Sequence, residues 1–331
     1  EIAQCLVGSE MCIRDRYQGV DCIRAKDGLL YAAAWNGAAL KKRTSDLVRT
    51  DGGHAAAILS VEGELTGFAF DAAGDVWLTQ LTTAGGTLCR AKHDSWGAAV
   101  ERVVTQLDGA PLGAVSAVEV SPAGKVYFAV AAAAGAENGL ESTLRTELLA
   151  HTATGCVYVY DPAARTVEKV LGGVAGAAGL ALSPDGSILY VSDLGSRCIW
   201  AVDAAARELT AGGRGCTAAF AGLPGYPGAL AVDTDGTLYI SYRWARSGWL
   251  EKNADSTLLR GIALRAGRNL QEKLFSLPAD APCAEAVDTA DGSWKRTVSS
   301  KGADGVTALC PVESRLYLGL AGSEKVRSAN L

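Results

Sequence analysis

Few residues in this chain could do chemistry, and none of them sit at the spacing of a common catalytic or metal motif. There are three histidines. His54 and His93 fall in polar stretches with no carboxylate or cysteine at ligand spacing and read as solvated loop residues, whereas His151 follows an apolar stripe and is a candidate polar site residue. Of the nine cysteines, those at 22, 89, 156, 198, 216, 283 and 310 lie mostly in strand-like stretches. None forms a CxxC pair, so no metal site is expected from them. They read either as small buried apolar residues or as disulfide partners. In Tyr242, Arg243, Trp244, Arg246 and Trp249, arginines alternate with rings. That pattern suits cation–π contact or substrate stacking at a rim, with Arg243 and Trp244 as candidate binding residues, and a loop packed on a protein face would look the same.

The elements that must position these residues form a repeat. A half-unit of two short strands with alternating apolar residues, joined by an inner turn rich in Asp, Pro and Gly, starts at Asp21, Thr66, Ser116, Ala178, Gly228 and Thr307. TGFAFDAAGDVWL and GALAVDTDGTLYI are two of its copies. A second hairpin follows each copy, and residues 87–91, 198–203, 258–264 and 326–331 are candidates for it. Six four-stranded units predict an all-β, six-bladed β-propeller. A lone four-stranded sheet leaves both faces bare, whereas radial packing buries each blade against the next. Phe68, Phe70 and Trp77 alternate as core residues of a half-buried strand pair. Leu140, Leu144 and Leu148, at i, i+4 and i+8, predict one short inserted helix on a propeller face, either lidding the channel mouth or covering blade edges. Residues 277–304 read as a surface loop.

The repeat runs through 17–331 without a linker, which predicts a single domain. Residues 1–16, EIAQCLVGSEMCIRDR, fall outside the pattern, resemble a translated adaptor-like scar and are set aside, so the strand that closes the ring is expected from a lost N-terminal segment. Hydrophobic residues make up 49% of the chain and the net charge is −5. That balance argues against a nucleic-acid partner, and no apolar run approaches the roughly 18 residues of a membrane span.

The segments HTATGCVYVYDPAARTVEKVLGG, GLALSPDGSILYVSD and AGLPGYPGALAVDTDGTLYIS, in this order, resemble the strictosidine synthase-like family, which includes the adipocyte plasma-membrane-associated proteins. The Thr154-Gly155 pair, the Tyr-Asp-Pro turn and the Leu-Pro-Gly-Tyr-Pro loop carry the likeness. It implies a six-bladed propeller, kinship with calcium-dependent gluconolactonases and paraoxonase-like esterases, and a place in the secretory pathway or endomembranes. It also implies that the residues opening the innermost strands face an axial channel: Asp21, Thr66, Ser116, Ala178, Gly228 and Thr307. The metal-dependent relatives place a carboxylate there in blade one, asparagines in blades three and four, and an aspartate in blade five. Asp21 matches the first, while Ser116, Ala178 and Gly228 replace the rest, and a hard divalent cation wants six or more oxygens. No cofactor, calcium included, is therefore expected. The sixth-blade glutamate of strictosidine synthase is also unmatched around Thr307, which cannot serve as a general acid or base near neutral pH.

Two functions follow as expectations. In the first, the channel binds a small organic amine, ester or lactone as a metal-independent hydrolase or lyase. Asp21, Ser116 and Thr307 then form the catalytic group, and Thr66, Ala178, Gly228, His151, Arg243 and Trp244 contact the substrate. In the second, the chain is a catalytically silent propeller that holds a ligand or partner. Asp21 is the one ionisable ring residue, and desolvation among Ala, Gly, Ser and Thr should raise its pKa.

Overall fold

A computed structural model describes residues 10–12, 17–37, 39–51, 54–254, 256–267, 269–271, 283–299, 305–323 and 325–331. They form six antiparallel blades of four main strands each, built outward from the axis. The innermost strands are Gly19–Lys26, Glu64–Phe70, Val115–Val120, Ala177–Leu182, Gly225–Val232 and Val306–Val312. Each opens one to three residues before the residue that the repeat places at the axis. Glu10–Cys12, from the stretch set aside as a scar, pairs antiparallel with the strand Lys325–Asn330 and completes the sixth blade. A short strand, Leu209–Thr210, adds to the outer edge of blade three in parallel.

Two expectations are corrected. Residues 258–264 are not a hairpin but lie within a helix, Thr257–Arg265, which follows a shorter one, α2, Gly248–Lys252. The outer hairpin of blade five comes instead from Ala284–Asp288 and Trp294–Val298, inside the segment read as a surface loop. The rest of that segment, 277–282 and 300–304, lies outside the described residues. The apolar period of residues 258–264 suits either assignment, because a run that short does not separate helix from strand.

The inserted helix α1, Leu140–Ala150, buries Leu140, Leu144, Leu148 and Leu149. Its N-cap is Gly139 at φ +85°, which has no side chain to accept a hydrogen bond. A carboxylate from another blade takes over the capping: the Leu140 N–H donates to Glu64 Oε2 at 2.9 Å. At the other end Arg260, on the helix Thr257–Arg265 (α3), donates to the Leu148 and Leu149 carbonyls at 2.9 and 2.8 Å. Both ends of α1 are thus tied down, and a cation sits against the carbonyl end, where the helix dipole favours it.

Adjacent blades are pinned near the axis by buried hydroxyls that donate to the carbonyls of the next inner strand. Ser116 Oγ donates to Ala177 O at 2.6 Å, Ser192 Oγ to Gly228 O at 2.8 Å and Ser241 Oγ to Val306 O at 3.3 Å. Thr307 Oγ1 donates to Val20 O across the first and last blades. Glycine permits the approach: a Cβ on Gly179 would lie 2.3 Å from Gly228 O and 3.0 Å from Ala229 Cα, both backbone atoms of the next blade. Gly179→Ala is therefore expected to force blades four and five apart and to cost about 1–3 kcal/mol in denaturant unfolding. Wild-type stability in that variant would refute close backbone contact at the axis.

Candidate functional site

Two cavities meet at Asp21. The axial one is only about 30 Å³, lined by Asp21, Thr66, Ser116, Ala178, Thr307 and Leu140, among others. That is room for about two waters. The other, about 670 Å³, opens at the mouth between the propeller face and α1. Trp35, Arg43, Glu64, Glu141, Arg145 and Gln271 line it, together with Asp21, Arg243 and Thr307, which it shares with the axial space. Of these two, it is the mouth cavity that falls in the size range of about 300–1,000 Å³ usual for organic ligands.

The charges at the mouth are paired in a particular way. Glu64, 3% exposed, accepts from Arg43 on Oε1 and caps α1 with Oε2. The Arg43 guanidinium stacks on the Trp35 ring at 4.1 Å, and that ring lies against Gly19, where a Cβ would meet it at 2.6 Å. Arg243, 6% exposed, gives Nε and Nη2 to Glu141 Oε2 at 2.9 and 2.8 Å. Arg145 reaches Glu141 Oε1 at 3.3 Å, one helical turn on. Burial works against ionisation of Glu141, yet Arg243 and Arg145 hold its carboxyl below the ordinary value. Asp21 stands apart, because its Oδ2 is buried and has no hydrogen-bond partner. Burial first, and then nearby Glu64, push the Asp21 carboxyl up to about 7 against the pull of Arg243 and Arg43.

The structure brings together at the axis Asp21, Thr66, Ser116, Ala178 and Thr307, with Ala229 next to Gly228, and it adds Arg243. The hydroxyls are already engaged as donors. Thr66 Oγ1 is 2.9 Å from Thr79 Oγ1 and 3.2 Å from Thr79 O, while Ser116 and Thr307 bridge blades. Tyr242, Arg243 and Trp244 are not loop residues but lie on the strand Thr237–Ala245, and all three side chains are buried. Trp244 lies outside the lining of both cavities, its ring 5.9 Å from the Arg243 guanidinium carbon and 5.6 Å from that of Arg145. His151 is exposed in the left-handed C-cap of α1 and lines neither cavity. His93 packs edge-on against Trp96 at 4.7 Å. The seven cysteines from 22 to 310 form no disulfides with one another, and six of them are buried.

Arg43, Trp35, Glu64, Glu141 and Arg145 were not legible as site residues. The i, i+4 spacing of Glu141 and Arg145 on an amphipathic stripe was a readable helix pair. Its reach to Arg243, 102 positions away, was not.

The resemblance raises a divalent cation at the axis, and the donor set does not fit one. The ring supplies one carboxylate, Ala178 and Gly228 bring no side-chain oxygen, and the guanidiniums of Arg243 and Arg43 act on that carboxylate. Among the described residues, no group of three or more His, Cys, Asp or Glu is arranged to hold a metal ion.

Comparisons with known proteins agree with the architecture. A gluconolactonase from Xanthomonas campestris superposes with a TM-score of 0.64 over 97% of this chain and 88% of its own, at 15% identity. A luciferin-regenerating enzyme gives 0.62 over 97% and 95%, also at 15% identity. Regucalcin from Agrobacterium tumefaciens, described as a calcium-binding protein, gives 0.57 over 94% and 85% at 13% identity. Likeness at such identities establishes the fold. No curated protein matches the sequence. The sequence pattern described as the SMP-30/Gluconolactonase/LRE-like region matches residues 98–267, from the edge of blade two to the end of α3 and just over half of the chain. By that match the chain belongs to the SMP-30/gluconolactonase/LRE-like family.

Proposed function

We propose that the mouth cavity takes up a small organic ester or lactone and that the chain hydrolyses it without a metal, with Asp21 as general base. One observation carries this reading: a carboxylate oxygen that is buried and unpartnered where the two cavities meet. With its carboxyl raised to about 7, Asp21 exists in both protonation states near neutral pH, as a general acid/base must. In this reading the Asp21 carboxylate takes a proton from water as the water oxygen adds to the carbonyl carbon. It returns that proton to the alkoxide as the C–O bond breaks, leaving an acid and an alcohol, which for a lactone are one hydroxy acid. The oxyanion formed in between meets Arg243 Nη1, the guanidinium nitrogen that Glu141 does not engage.

Family membership and the gluconolactonase-like architecture support hydrolysis. The charge balance of the cavity selects among the substrate classes. Among the described residues lining it, three carboxylates face three guanidiniums, so protonation of Asp21 leaves an excess of positive charge. That favours a neutral carbonyl compound over an amine, and hydrolysis over the amine–aldehyde condensation of the strictosidine synthase-like reading. A silent ligand-binding propeller is the second reading. It draws on the engagement of Thr66, Ser116 and Thr307 within the protein, which leaves Asp21 and Arg243 to act without hydroxyl donors.

Phenyl acetate and a panel of lactones, assayed with calcium and with chelator, should be turned over equally in both. Asp21→Asn should lower kcat/KM at least about tenfold, a loss of roughly 1.4 kcal/mol. Full activity in that variant would move the chemistry away from Asp21. Calcium should also leave the Tm unchanged, whereas an ion held at a hundred times its Kd would add about 2.7 kcal/mol. A chelator-reversible rise of several degrees would contradict the metal-free reading.

A further inference from the structure

Asp21 has two guanidiniums within electrostatic reach, Arg243 and Arg43, and is bonded to neither. Each is held by another acid. Arg243 gives two of its three nitrogens to Glu141, and Arg43 gives Nη1 to Glu64. Charge-assisted bonds between guanidinium and carboxylate are among the strongest polar contacts a protein makes, so an arginine without a prior partner would close on the nearest acid. Here that closure is intercepted twice.

We propose that Glu141, on α1, is a positioning residue: by holding Nε and Nη2 of Arg243 it fixes the guanidinium at the cavity wall and prevents it from forming an ion pair with Asp21. Glu64 does the same to Arg43. The inserted helix is thereby part of the site. Two features give Glu141 the leverage for this. The helix is anchored at its N-terminus by Glu64 and at its C-terminus by Arg260, so Glu141 cannot follow Arg243 inward. Arg145 draws Glu141 from the other side.

The groups that act on Asp21 are Glu64 from blade two, Arg43 from the connection within blade one, Arg243 from blade five and Glu141 from α1. The other ring residues, Thr66, Ser116, Ala178, Gly228 and Thr307, carry no charge. Loss of the Glu141 charge therefore acts on Asp21 in two ways of the same sign. A repelling anion disappears, and Arg243 is freed to pair with Asp21, and both lower the pH at which Asp21 ionises.

The inference rests on the hydrolase reading for its purpose, but it is tested without substrate. The Asp21 carboxyl carbon, identified by the signal lost in Asp21→Asn, is titrated by ¹³C NMR in protein labelled at aspartate. Glu141→Gln should lower its midpoint by about one unit or more. In an Arg243→Met background the same substitution should move it by less than half as much. A midpoint unmoved by Glu141→Gln overturns the proposal. So does a shift of equal size without Arg243, because Glu141 would then act by admitting water beneath a loosened helix. Glu141→Asp, which keeps the charge on a shorter arm, is the second variant if Glu141→Gln does not fold, and it should give a smaller shift in the same direction. With a substrate in hand, the acidic limb of the kcat/KM profile should move down with the NMR midpoint. If no ester or lactone is turned over while the titrations behave as stated, the hydrolase reading fails alone. If turnover is found and the midpoint stays fixed, the positioning role fails alone.

Discussion

The close approach of six inner strands around one axis constrains everything else in this molecule. Gly179 abuts the backbone of the next blade, and Ser116, Ser192, Ser241 and Thr307 pin neighbouring blades with hydrogen bonds. The resulting axial space holds about two waters. An organic ligand cannot enter it. The ring supplies one carboxylate at the floor, and the walls of a usable cavity come from residues that are not part of the repeat: the connection bearing Arg43, the inserted helix α1, and Arg243 near the end of its strand.

This division of labour governs the electrostatics. Arg43 and Arg243 are too close to a buried carboxylate to be neutral bystanders, and Glu64 and Glu141 determine what they do. Each acid has a second task that fixes its geometry, Glu64 as the cap of α1 and Glu141 as the i, i+4 partner of Arg145. Asp21 Oδ2 is left buried and without a hydrogen-bond partner, a costly state for a carboxylate oxygen that the rest of the fold must sustain. Buried groups held in this way are concentrated at functional sites.

The repeat made the architecture readable because each copy carries the same turn chemistry and alternation, and because the ring residues open homologous strands. Asp21 was legible for the same reason: it is the one acid at a position that the other copies fill with small or neutral residues. Blade five was misread where the repeat was interrupted. Two helices, Gly248–Lys252 and Thr257–Arg265, separate its inner and outer hairpins, and an apolar run of seven residues fits helix and strand alike. The partners of Arg243 could not be read at all, since no local pattern reports an ion pair between residues 102 positions apart. Its interleaving with aromatic rings singled out Arg243, which lines both cavities. The ring of Trp244 lies 5.9 Å from the guanidinium carbon, and Glu141 holds the same guanidinium in an ion pair.

Proton linkage tests the central claim, that Asp21 is held desolvated and unpaired at the floor of the mouth cavity, most directly. A carboxyl raised from 3.8 to about 7 on folding binds its proton more tightly in the native state. Stability is then fully present below the unfolded value and is lost as pH rises through the folded one. Denaturant unfolding of the wild type and Asp21→Asn between pH 3 and pH 9, about one unit or more beyond each value, reads this difference. The account predicts equal stabilities at the acid end, a wild type that falls progressively below the variant between about pH 4 and pH 7, and a constant gap above that. Parallel curves across the range, or a wild type that gains on the variant as pH rises, would show that Asp21 is solvated or ion-paired and would contradict the account.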